Sequence, residues 1–365
     1  MFAHDTPRNL DIFRTLAPEE GAHMPEPTAT PSVRRALVMG PSGFVGSHVT
    51  RKLVERGDDV RVYLRKTSST VAIDDLDVER CYGDLYDDEA LRAAMADRDV
   101  VYYCIVDTRF HLRDPAPLFE TNVNCLRRVL DVAAKAGLHR FVFCSTIGTI
   151  ALGDGRRPVT EDMPFDWGDK GGAYIESRRQ AEELVLSYAR DRGLPAVAMC
   201  VSNPYGPRDF QPHQGLMVRY AALGKIPAYI KGVSTEVVGI EDVAEAFLLA
   251  AEHGRVGERY IISESYMPMR DLLTTAARAV GAKPPRFGIP LSVVYASAWL
   301  GDKLSRLVGR EFQMNTNGVR LLHIMAPADH GKATRELGWH PRPTAESLER
   351  AARFHVEQAR KTAGE

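Results

Sequence analysis

Long apolar runs and an excess of charge of one sign are both missing from this 365-residue chain. No stretch reaches the roughly 18 uninterrupted apolar residues of a membrane-spanning helix, so no transmembrane segment is expected. The formal net charge is −1, which provides no basic face for a nucleic acid, and no nucleic-acid partner is expected. The 44% hydrophobic content is sufficient for a full core, and the length favours one large domain with a smaller lobe.

Cysteine is also scarce. The five cysteines are odd in number and follow neither disulfide nor metal-ligand spacings: Cys81, Cys104, Cys125, Cys144 and Cys200. All but Cys125 lie in or beside apolar, strand-like runs, which indicates small buried side chains in a reducing, cytoplasmic compartment. The sequence has no Cys/His cluster and no Gly-x-Ser-x-Gly turn, so neither a metal site nor a hydrolase nucleophile is predicted.

The first 32 residues differ in composition from the rest of the chain. They are rich in Pro, Thr, Glu and Ala and have no apolar core of the kind a signal peptide contains. We therefore expect residues 1–32 to form an extension outside the main core, and we expect no secretion through a signal peptide.

A glycine-rich turn is the most informative segment that the chain contains. It follows the apolar run 36–39, opens the amphipathic run 44–55, and places Gly40, Gly43 and Gly46 at three-residue spacing. The first glycine suits a tight turn, the second lets the main chain approach a pyrophosphate, and the third lets the helix pack on its strand. This order predicts a dinucleotide site with phosphates at the helix N-terminus, the alternative being a turn that serves packing alone.

The end of the second predicted strand, residues 60–64, indicates which dinucleotide is bound. NAD-binding chains usually carry Asp or Glu there, whereas this chain carries Arg65 followed by Lys66. A guanidinium offers forked, charge-assisted donors to a 2′-phosphate, so NADP(H) is favoured over NAD(H). The alternative is a solvated basic loop.

Predicted strands and helices alternate along the chain, which is typical of proteins with a parallel sheet. This predicts an α/β fold, a doubly wound parallel Rossmann sheet with a smaller, mostly helical substrate lobe. The predicted strands are 36–39, 60–64, 78–82, 99–104, 140–144, 195–200, 236–240 and 258–262. The predicted helices are 44–56, 88–96, 116–137, 172–192, 214–223, 241–253, 291–307 and 345–361.

We expect the domains to interleave along the chain. The cofactor domain is predicted at 33–206, with 236–262 and the final helix returning to it, and the substrate lobe at 207–235 and 263–335. The apolar side of the helix at 291–307 favours a lid or interface helix, so peripheral membrane contact is not expected.

A second group of polar residues follows the fifth predicted strand. Ser145 and Thr146 end that strand, and ligands of a doubly wound sheet bind beyond the carboxyl ends of its strands. Tyr174 begins a helix that carries Arg178 four residues later, so both side chains lie on one face. A nearby cation favours the phenolate and lowers the tyrosine pKa, which makes Tyr174 a candidate general acid and base.

The chain resembles the extended short-chain dehydrogenases/reductases, a family that includes nucleotide-sugar epimerases, dihydroflavonol reductases and hydroxysteroid dehydrogenases. The resemblance runs from about residue 35 to about residue 356. Further matching motifs are Gly83-Asp84-Leu85, Asn122-Val123, Asn203-Pro-Tyr-Gly206-Pro-Arg208-Asp209, Glu241-Asp242-Val-Ala244 and Glu336-Leu-Gly-Trp339-x-Pro341. Within the family, the segments Asp107-Thr-Arg109-Phe and Ile226-Pro-Ala-Tyr229 are most similar to the dihydroflavonol reductase and hopanoid-associated sugar epimerase branch.

The resemblance implies a role for each residue of the site. Tyr174 would donate a proton to a substrate carbonyl, while Thr146, or as a second choice Ser145, binds the same oxygen. The implied cofactor contacts are Gly40, Ser42, Gly43, Phe44, Val45, Gly46, Arg65, Lys66, Asp84, Leu85, Ile105, Val106, Tyr174, Arg178 and Ser202. The implied substrate contacts are Arg109, Phe110, Asn203 and Tyr205, although a solvated loop charge is an alternative for Arg109. Relatives also imply a homodimer built on helices 116–137 and 172–192.

One departure from the family leaves three functions open. The family's lysine is replaced by Arg178, which keeps the charge but cannot give up a proton at ordinary pH. The first function is an NADP(H)-dependent carbonyl reductase or alcohol dehydrogenase of a small, partly apolar substrate. The second is a nucleotide-sugar epimerase or dehydratase, which would need Arg208, Arg219 or Arg320 for a second pyrophosphate. The third is a catalytically weakened, NADP-binding scaffold protein.

Overall fold

The computed structural model describes residues 34–212, 215–308 and 315–364. The predicted extension, residues 1–32, lies outside the described residues, and so does residue 214, where one predicted helix begins.

Seven parallel strands form the central sheet, in the order β3-β2-β1-β4-β5-β6-β10. Their bounds are Arg35–Met39 (β1), Asp59–Leu64 (β2), Glu79–Tyr82 (β3), Val100–Tyr103 (β4), Arg140–Thr146 (β5), Ala196–Val201 (β6) and Arg259–Ile262 (β10). Strand order reverses between β1 and β4, which puts the first and second halves of the sheet on opposite sides of β1. The predicted α/β, doubly wound Rossmann fold is therefore confirmed, and β1 and β4 flank its switch point.

Helices cover both faces of this sheet, so its strands are apolar on both sides. In β1, Ala36 and Val38 face one cluster with α1 and α7, while Leu37 and Met39 face another with α2, α4 and α5. The helix bounds are Phe44–Arg56 (α1), Asp88–Met95 (α2), Ala116–Phe119 (α3), Leu126–Ala133 (α4), Gly172–Arg192 (α5) and Ile240–His253 (α7).

The helix predicted at 116–137 has a different form. Between α3 and α4 the chain makes a π-helix over Glu120–Cys125, and α4 ends at Ala133. π-Helical turns inside helices are frequent at functional sites. The wide turn carries Asn122, whose side chain bonds the backbone of Asp107 beyond β4, so the irregularity is held by a tertiary contact.

The smaller lobe contains more strand than the sequence pattern predicts. A three-stranded sheet has the order β11-β9-β7, and β12 pairs with β8. The bounds are Asn203–Tyr205 (β7), Ala228–Ile230 (β8), Ser234–Gly239 (β9), Ser265–Pro268 (β11) and Phe287–Ile289 (β12). The helices are Gly215–Ala222 (α6), Met269–Arg278 (α8), Leu291–Val308 (α9), Thr316–Leu321 (α10), Gly331–Leu337 (α11) and Thr344–Ala363 (α12).

Two predicted elements therefore pack differently from the expected domain division. Strand β9, predicted at 236–240, belongs to the three-stranded sheet, and α12 packs against α6 and α8 of the lobe. Only β10 and α7 of the returning segment join the central sheet and its helical layer. The domain boundaries themselves stay a prediction.

Helix α9 presents an exposed apolar side. Val293, Trp299 and Leu300 are each more than half exposed, while Val294 and Ala298 are buried. Within the described part of the chain, no helix combines the length and hydropathy needed to cross a membrane. The lid or interface role predicted for this helix stays a prediction.

Candidate functional site

The glycine turn between β1 and α1 is built on close backbone contact. Gly40 has a φ of 83°, and a Cβ there would lie 3.0 Å from the backbone of Cys104. A Cβ on Gly46 would lie 2.2 Å from the carbonyl oxygen of Gly40, whereas the nearest atom to a Cβ on Gly43 would be 3.5 Å away. Gly40 and Gly46 are therefore required by the turn itself, and Gly43 has room.

No side chain caps the N-terminus of α1. Gly43 occupies the cap position without a side-chain hydrogen bond, and Ser42, Phe44 and Val45 beside it are partly buried. The first backbone N–H groups of a helix have no partner within the helix. They are thus available to an anion at the turn, as the sequence predicts for a pyrophosphate.

The end of β2 carries the predicted basic pair. Arg65 and Lys66 are both exposed there. On the same loop, Asp75 accepts hydrogen bonds from Arg51 of α1 and from Arg208, each at 2.8 Å. Arg208 thereby joins the segment after β7 to the loop after β2, and it does so in a left-handed conformation with φ 66°.

The last two residues of β5 point to opposite faces, as successive strand residues do. Thr146 Oγ1 accepts a hydrogen bond from the Gly148 N–H at 3.3 Å, and the Thr146 hydroxyl is near enough to the Tyr174 phenol to lower its pKa. Ser145 is buried and donates to the carboxylate of Glu182 instead. Of the two predicted hydroxyls, Thr146 is the one beside Tyr174, whereas Ser145 is held by Glu182, which favours Thr146 over the second choice.

Tyr174 lies in the first turn of α5, close to the end of β5. The approach is close because Gly148 has no side chain: a Cβ there would lie 2.4 Å from Cδ1 of Ile175. The tyrosine ring packs against the buried cluster of Ile175, Leu152 and Trp167. This packing orients the phenol toward the strand end.

The environment of Tyr174 moves its pKa in two directions. Burial raises the pKa of the phenol, while the charge of Arg178 and the nearby Thr146 hydroxyl lower it. Burial has the largest effect, so the pKa is raised overall. The sequence analysis predicts a lowered pKa for Tyr174 because it considers the nearby cation but not the burial of the phenol. That direction is wrong for the protein without a bound ligand.

Arg178 is almost completely buried, with 2% of its surface exposed. One guanidinium nitrogen donates to the carbonyl oxygen of Cys144, and the group lies 5.1 Å above the centre of the Phe143 ring. Its Nε and NH1 atoms have no hydrogen-bond partner within the described part of the chain. A buried charged donor left unpaired is costly, so these atoms are candidates for pairing with a ligand.

Asn122 is a supporting residue whose role the sequence did not predict. Its amide accepts from the Asp107 N–H at 2.8 Å and donates to the Asp107 carbonyl at 3.0 Å and to Ser177 at 3.1 Å. Ser177 in turn donates to the Tyr174 carbonyl at 2.8 Å. The π-helix thus connects the loop after β4 to the first turn of α5.

A buried polar cluster beneath the site was also missed. Glu182, 3% exposed, accepts from Ser145, from Thr149 at 2.7 Å, from Cys200 at 3.2 Å and from Arg259 at 3.0 Å. It lies one turn after Arg178 on the buried stripe of α5. The sequence signal that could have indicated this cluster is a carboxylate on the buried side of a helix, because buried charges normally have partners.

The remaining predicted cofactor residues have varied surroundings. Asp84 is exposed and Leu85 is buried in the core, after β3. Ile105 is partly buried and Val106 is exposed after β4. Ser202, after β6, has a buried hydroxyl oxygen without a hydrogen-bond partner among the described residues. Of these residues it is therefore the best candidate for a polar contact with the cofactor.

The predicted substrate residues are largely engaged in the fold. Arg109 pairs with Asp107, which supports the alternative of a loop charge. Asn203 donates to Thr235 at 2.6 Å and so joins β7 to β9. Tyr205 is buried in the core of the lobe. Phe110 is partly buried on the loop after β4, its ring edge-on to the neighbouring histidine.

The described residues fit a bound dinucleotide. The turn excludes side chains at Gly40 and Gly46, the N-terminus of α1 is uncapped, and buried donors remain unpaired on Arg178. These features lie at the carboxyl edge of one parallel sheet, where such ligands bind.

The chain is similar to known proteins over most of its length. A model of the NAD dependent epimerase/dehydratase family matches residues 36–263. The chain is 30% identical to sterol demethylase protein B of Methylococcus capsulatus over 311 residues, covering 84% of this chain and 94% of that protein. It is 29% identical over 317 residues to 4-hydroxy-2-methyl-3-oxo-4-farnesyl-3,4-dihydroquinoline-1-oxide ketoreductase of Stigmatella aurantiaca, covering 85% and 93%. The crystal structure of gox2253 superposes with a TM-score of 0.79 at 32% identity, covering 90% and 99%.

Proposed function

The chain belongs to the NAD-dependent epimerase/dehydratase family, and from this premise we propose that it reduces the carbonyl group of a small, partly apolar substrate with NADPH, or oxidises the alcohol in reverse. One observation carries the proposal. The Thr146 hydroxyl, the Tyr174 phenol and the Arg178 guanidinium meet at the carboxyl end of β5, on the sheet edge that holds the glycine turn.

In the direction of reduction, Tyr174 is the proton donor. Its raised pKa keeps the phenol protonated at neutral pH, and Thr146 is placed to hold the same substrate oxygen. When the proton leaves, the charge of Arg178 stabilises the phenolate. The bound nicotinamide supplies the hydride.

Arg178 acts by charge and position only. It does not relay a proton at ordinary pH, because a guanidinium stays protonated. Its bond to the Cys144 carbonyl and its contact with Phe143 hold it in place, and its two unpaired nitrogens are free to hold the cofactor.

Apolar side chains around Tyr174 support a partly apolar substrate. Four partly buried residues pack on the same cluster as the tyrosine: Phe165, Leu321, Ile324 and Met325. Tyr205, predicted as a substrate contact, lies in the lobe core, and Phe210 packs against Phe354 with the ring centres 5.2 Å apart. The names of two relatives, a sterol demethylase protein and a ketoreductase of a farnesylated quinoline, point in the same direction.

A nucleotide-sugar substrate has less support. Its second pyrophosphate would need converging basic groups, but Arg208 pairs with Asp75 and Arg219 lies near His355 of α12. Arg320 lies on α10. The arginines contact different elements, so the carbonyl reductase is the better supported function.

Replacing Tyr174 tests the reaction. A panel of ketones, aldehydes, sterols and nucleotide-sugars would be followed by NADPH absorbance to find a substrate, and Tyr174→Phe should then lower kcat by about 10²- to 10⁴-fold. Tyr86→Phe, at an exposed site, is the matched control and should leave kcat unchanged. If the Tyr174 variant kept most of its activity, this tyrosine would not be the acid.

Cofactor preference is a separate measurement. Because Arg65 is proposed to bind the 2′-phosphate, NADPH should bind more tightly than NADH, and Arg65→Ala should weaken NADPH binding about tenfold or more while leaving NADH little changed. The control is Arg190→Ala, an exposed arginine that pairs with its neighbour Asp191. Equal dissociation constants for the two cofactors in the wild type would contradict the assignment.

A further inference from the structure

Two cysteines lie side by side at the carboxyl edge of the central sheet. Tyr103 of β4 is paired with Phe143 of β5, so Cys104 and Cys144 form the next opposing pair. The Cys104 N–H donates to the Met39 carbonyl at 2.8 Å, which keeps residue 104 in the plane of the sheet. Neighbouring strands are about 4.8 Å apart, and opposing residues point to the same face. Both side chains belong to the same apolar cluster.

This separation suits a disulfide. Cysteines are bridged when their Cα atoms are about 4.4–6.8 Å apart, which includes the spacing of neighbouring strands. Both thiols are free in the structure. The other three cysteines lie elsewhere: Cys200 bonds Glu182 beneath the site, Cys125 ends the π-helix, and Cys81 lies on β3.

The two thiols differ in reactivity. The neighbouring Cys104 thiol and the charge of Arg178 lower the pKa of Cys144, against the effect of burial. The neighbouring Cys144 thiol and burial raise the pKa of Cys104. Cys144 is also the more exposed of the two, so it is the thiol that reacts first.

The pair lies directly under the glycine turn. A Cβ on Gly46 would lie 3.3 Å from Cβ of Cys104, and one on Gly40 would lie 3.0 Å from the Cys104 carbonyl. A shift of Cys104 toward β5 therefore moves atoms that contact the glycine turn. A shift of Cys144 would move Arg178, which bonds the Cys144 carbonyl.

We propose that Cys104 and Cys144 are a dithiol modification site, which a low-molecular-weight disulfide such as oxidised glutathione converts into an intramolecular disulfide that weakens dinucleotide binding. The Cys144 thiolate attacks one glutathione sulfur, the glutathione S–S bond breaks, and the first glutathione thiolate leaves and takes a proton from water. Cys104 then loses its proton to water and attacks the Cys144 sulfur, expelling the second glutathione thiolate. Two protein thiols are oxidised, and one glutathione disulfide is reduced to two thiols.

The disulfide itself is independent of the proposed reaction, whereas its effect on NADPH binding rests on the proposed function. Because the proposed NADPH site lies at the same edge of the sheet as the partly exposed Cys144, NADPH should slow the modification. Reduction with dithiothreitol should restore both thiols and NADPH binding, because each exchange step is reversible.

The experiment uses the full chain with Cys81→Ser, which removes a partly exposed thiol that lies outside the site. After treatment with oxidised glutathione, denatured protein should have lost two thiols without retaining glutathione, and a peptide map should join residues 104 and 144. The dissociation constant of NADPH should rise about tenfold or more and return with dithiothreitol. Cys104→Ala should stop at a mixed disulfide on Cys144, and Cys144→Ala should leave Cys104 unmodified.

Several results would overturn the proposal. They are unmodified thiols, a cross-link between other cysteines, or an unchanged NADPH dissociation constant after the 104–144 cross-link has formed. If the reduced protein does not bind NADPH, the proposed function fails, while the thiol count and peptide map still decide the dithiol site. Titration of the unaltered protein with phenylarsine oxide, which bridges close thiols, provides a measurement that does not depend on the folding of an alanine variant. One equivalent bound at 104 and 144 is expected, and no binding there contradicts the pair.

Discussion

At position 178 the chain carries a cation that is buried, permanently charged and only partly paired. Its neighbours explain how this is tolerated: one nitrogen bonds the Cys144 carbonyl, and the flat group lies over the Phe143 ring. Aromatic faces attract guanidinium groups, which offsets part of the cost of burial. A lysine has a compact charge and no planar face, so the two cations are not interchangeable at this position.

Replacing Arg178 should change the pH dependence of alcohol oxidation. Tyr174 must lose its proton to act as base, so kcat/KM rises with pH toward the tyrosine pKa. Arg178→Met removes the larger of the two effects that lower this pKa and leaves only Thr146 to oppose burial, so the rising limb should move upward by about one pH unit or more.

Arg178→Lys separates charge from shape. It keeps the positive charge, so the rising limb of kcat/KM against pH should stay close to that of the wild type, and activity should be similar or higher. Complete loss of activity in a variant that unfolds at the wild-type urea concentration would show that the forked group is itself needed. An unmoved limb in the methionine variant would contradict the electrostatic role.

At the scale of elements, the site depends on where helices meet strand ends. Helix α1 meets β1 through the glycine turn, and α5 meets β5 through the contact of Gly148 with Ile175. The strand and helix positions around these contacts were predictable, because the period of apolar residues changes between strand and helix. The π-helix at 120–125 was not, because the contacts of Asn122 that accompany it involve residues on other elements.

Two glycines of the turn should respond differently to alanine. Gly46→Ala places a Cβ 2.2 Å from a backbone oxygen, so it should lower the free energy of unfolding by about 3 kcal/mol or more. Gly43→Ala has 3.5 Å of room and an extended backbone, so stability should fall by about 1 kcal/mol at most, the cost of alanine at a cap position.

The Gly43 variant tests the ligand rather than the fold. Its methyl group would occupy space that the pyrophosphate is predicted to approach, so NADPH binding should weaken although urea unfolding changes little. The two measurements are made on the same preparations. Equal NADPH affinity in wild type and Gly43→Ala would contradict the predicted position of the phosphates.

At the scale of the whole molecule, burial of titratable groups sets the response to acid. His355 of α12 is 3% exposed, and its Nε2 has no hydrogen-bond partner within the described part of the chain. Burial lowers its pKa to about 4. A folded-state pKa below the unfolded value gives stability that is complete above the unfolded pKa of about 6.5 and is lost as the pH falls toward the folded value.

His355→Leu should therefore reduce the loss of the free energy of unfolding at acid pH. The wild type should lose about 3 kcal/mol through this group between about pH 6.5 and pH 4, and the variant should not. Urea unfolding at a series of pH values measures the difference, with His253→Gln, at an exposed site on α7, as control. Parallel pH curves for wild type and His355→Leu would contradict the assignment.

Oligomerisation is the other property of the whole molecule. The homodimer through residues 116–137 and 172–192 stays a prediction, and sedimentation equilibrium of the full chain would decide it. Helix α5 keeps Leu184 and Leu186 partly exposed, which leaves apolar surface for such a partner.

Local requirements of the sequence determined the glycine turn, the alternation of strands and helices and the position of Tyr174 one turn before a cation. Each depends on backbone angles or on spacing within a few residues, which the order of amino acids specifies directly. The tertiary structure alone decided that Thr146 and not Ser145 meets the tyrosine, that burial raises the tyrosine pKa, and that Cys104 faces Cys144. Those outcomes depend on distances and desolvation between residues far apart in the chain, which no local pattern records.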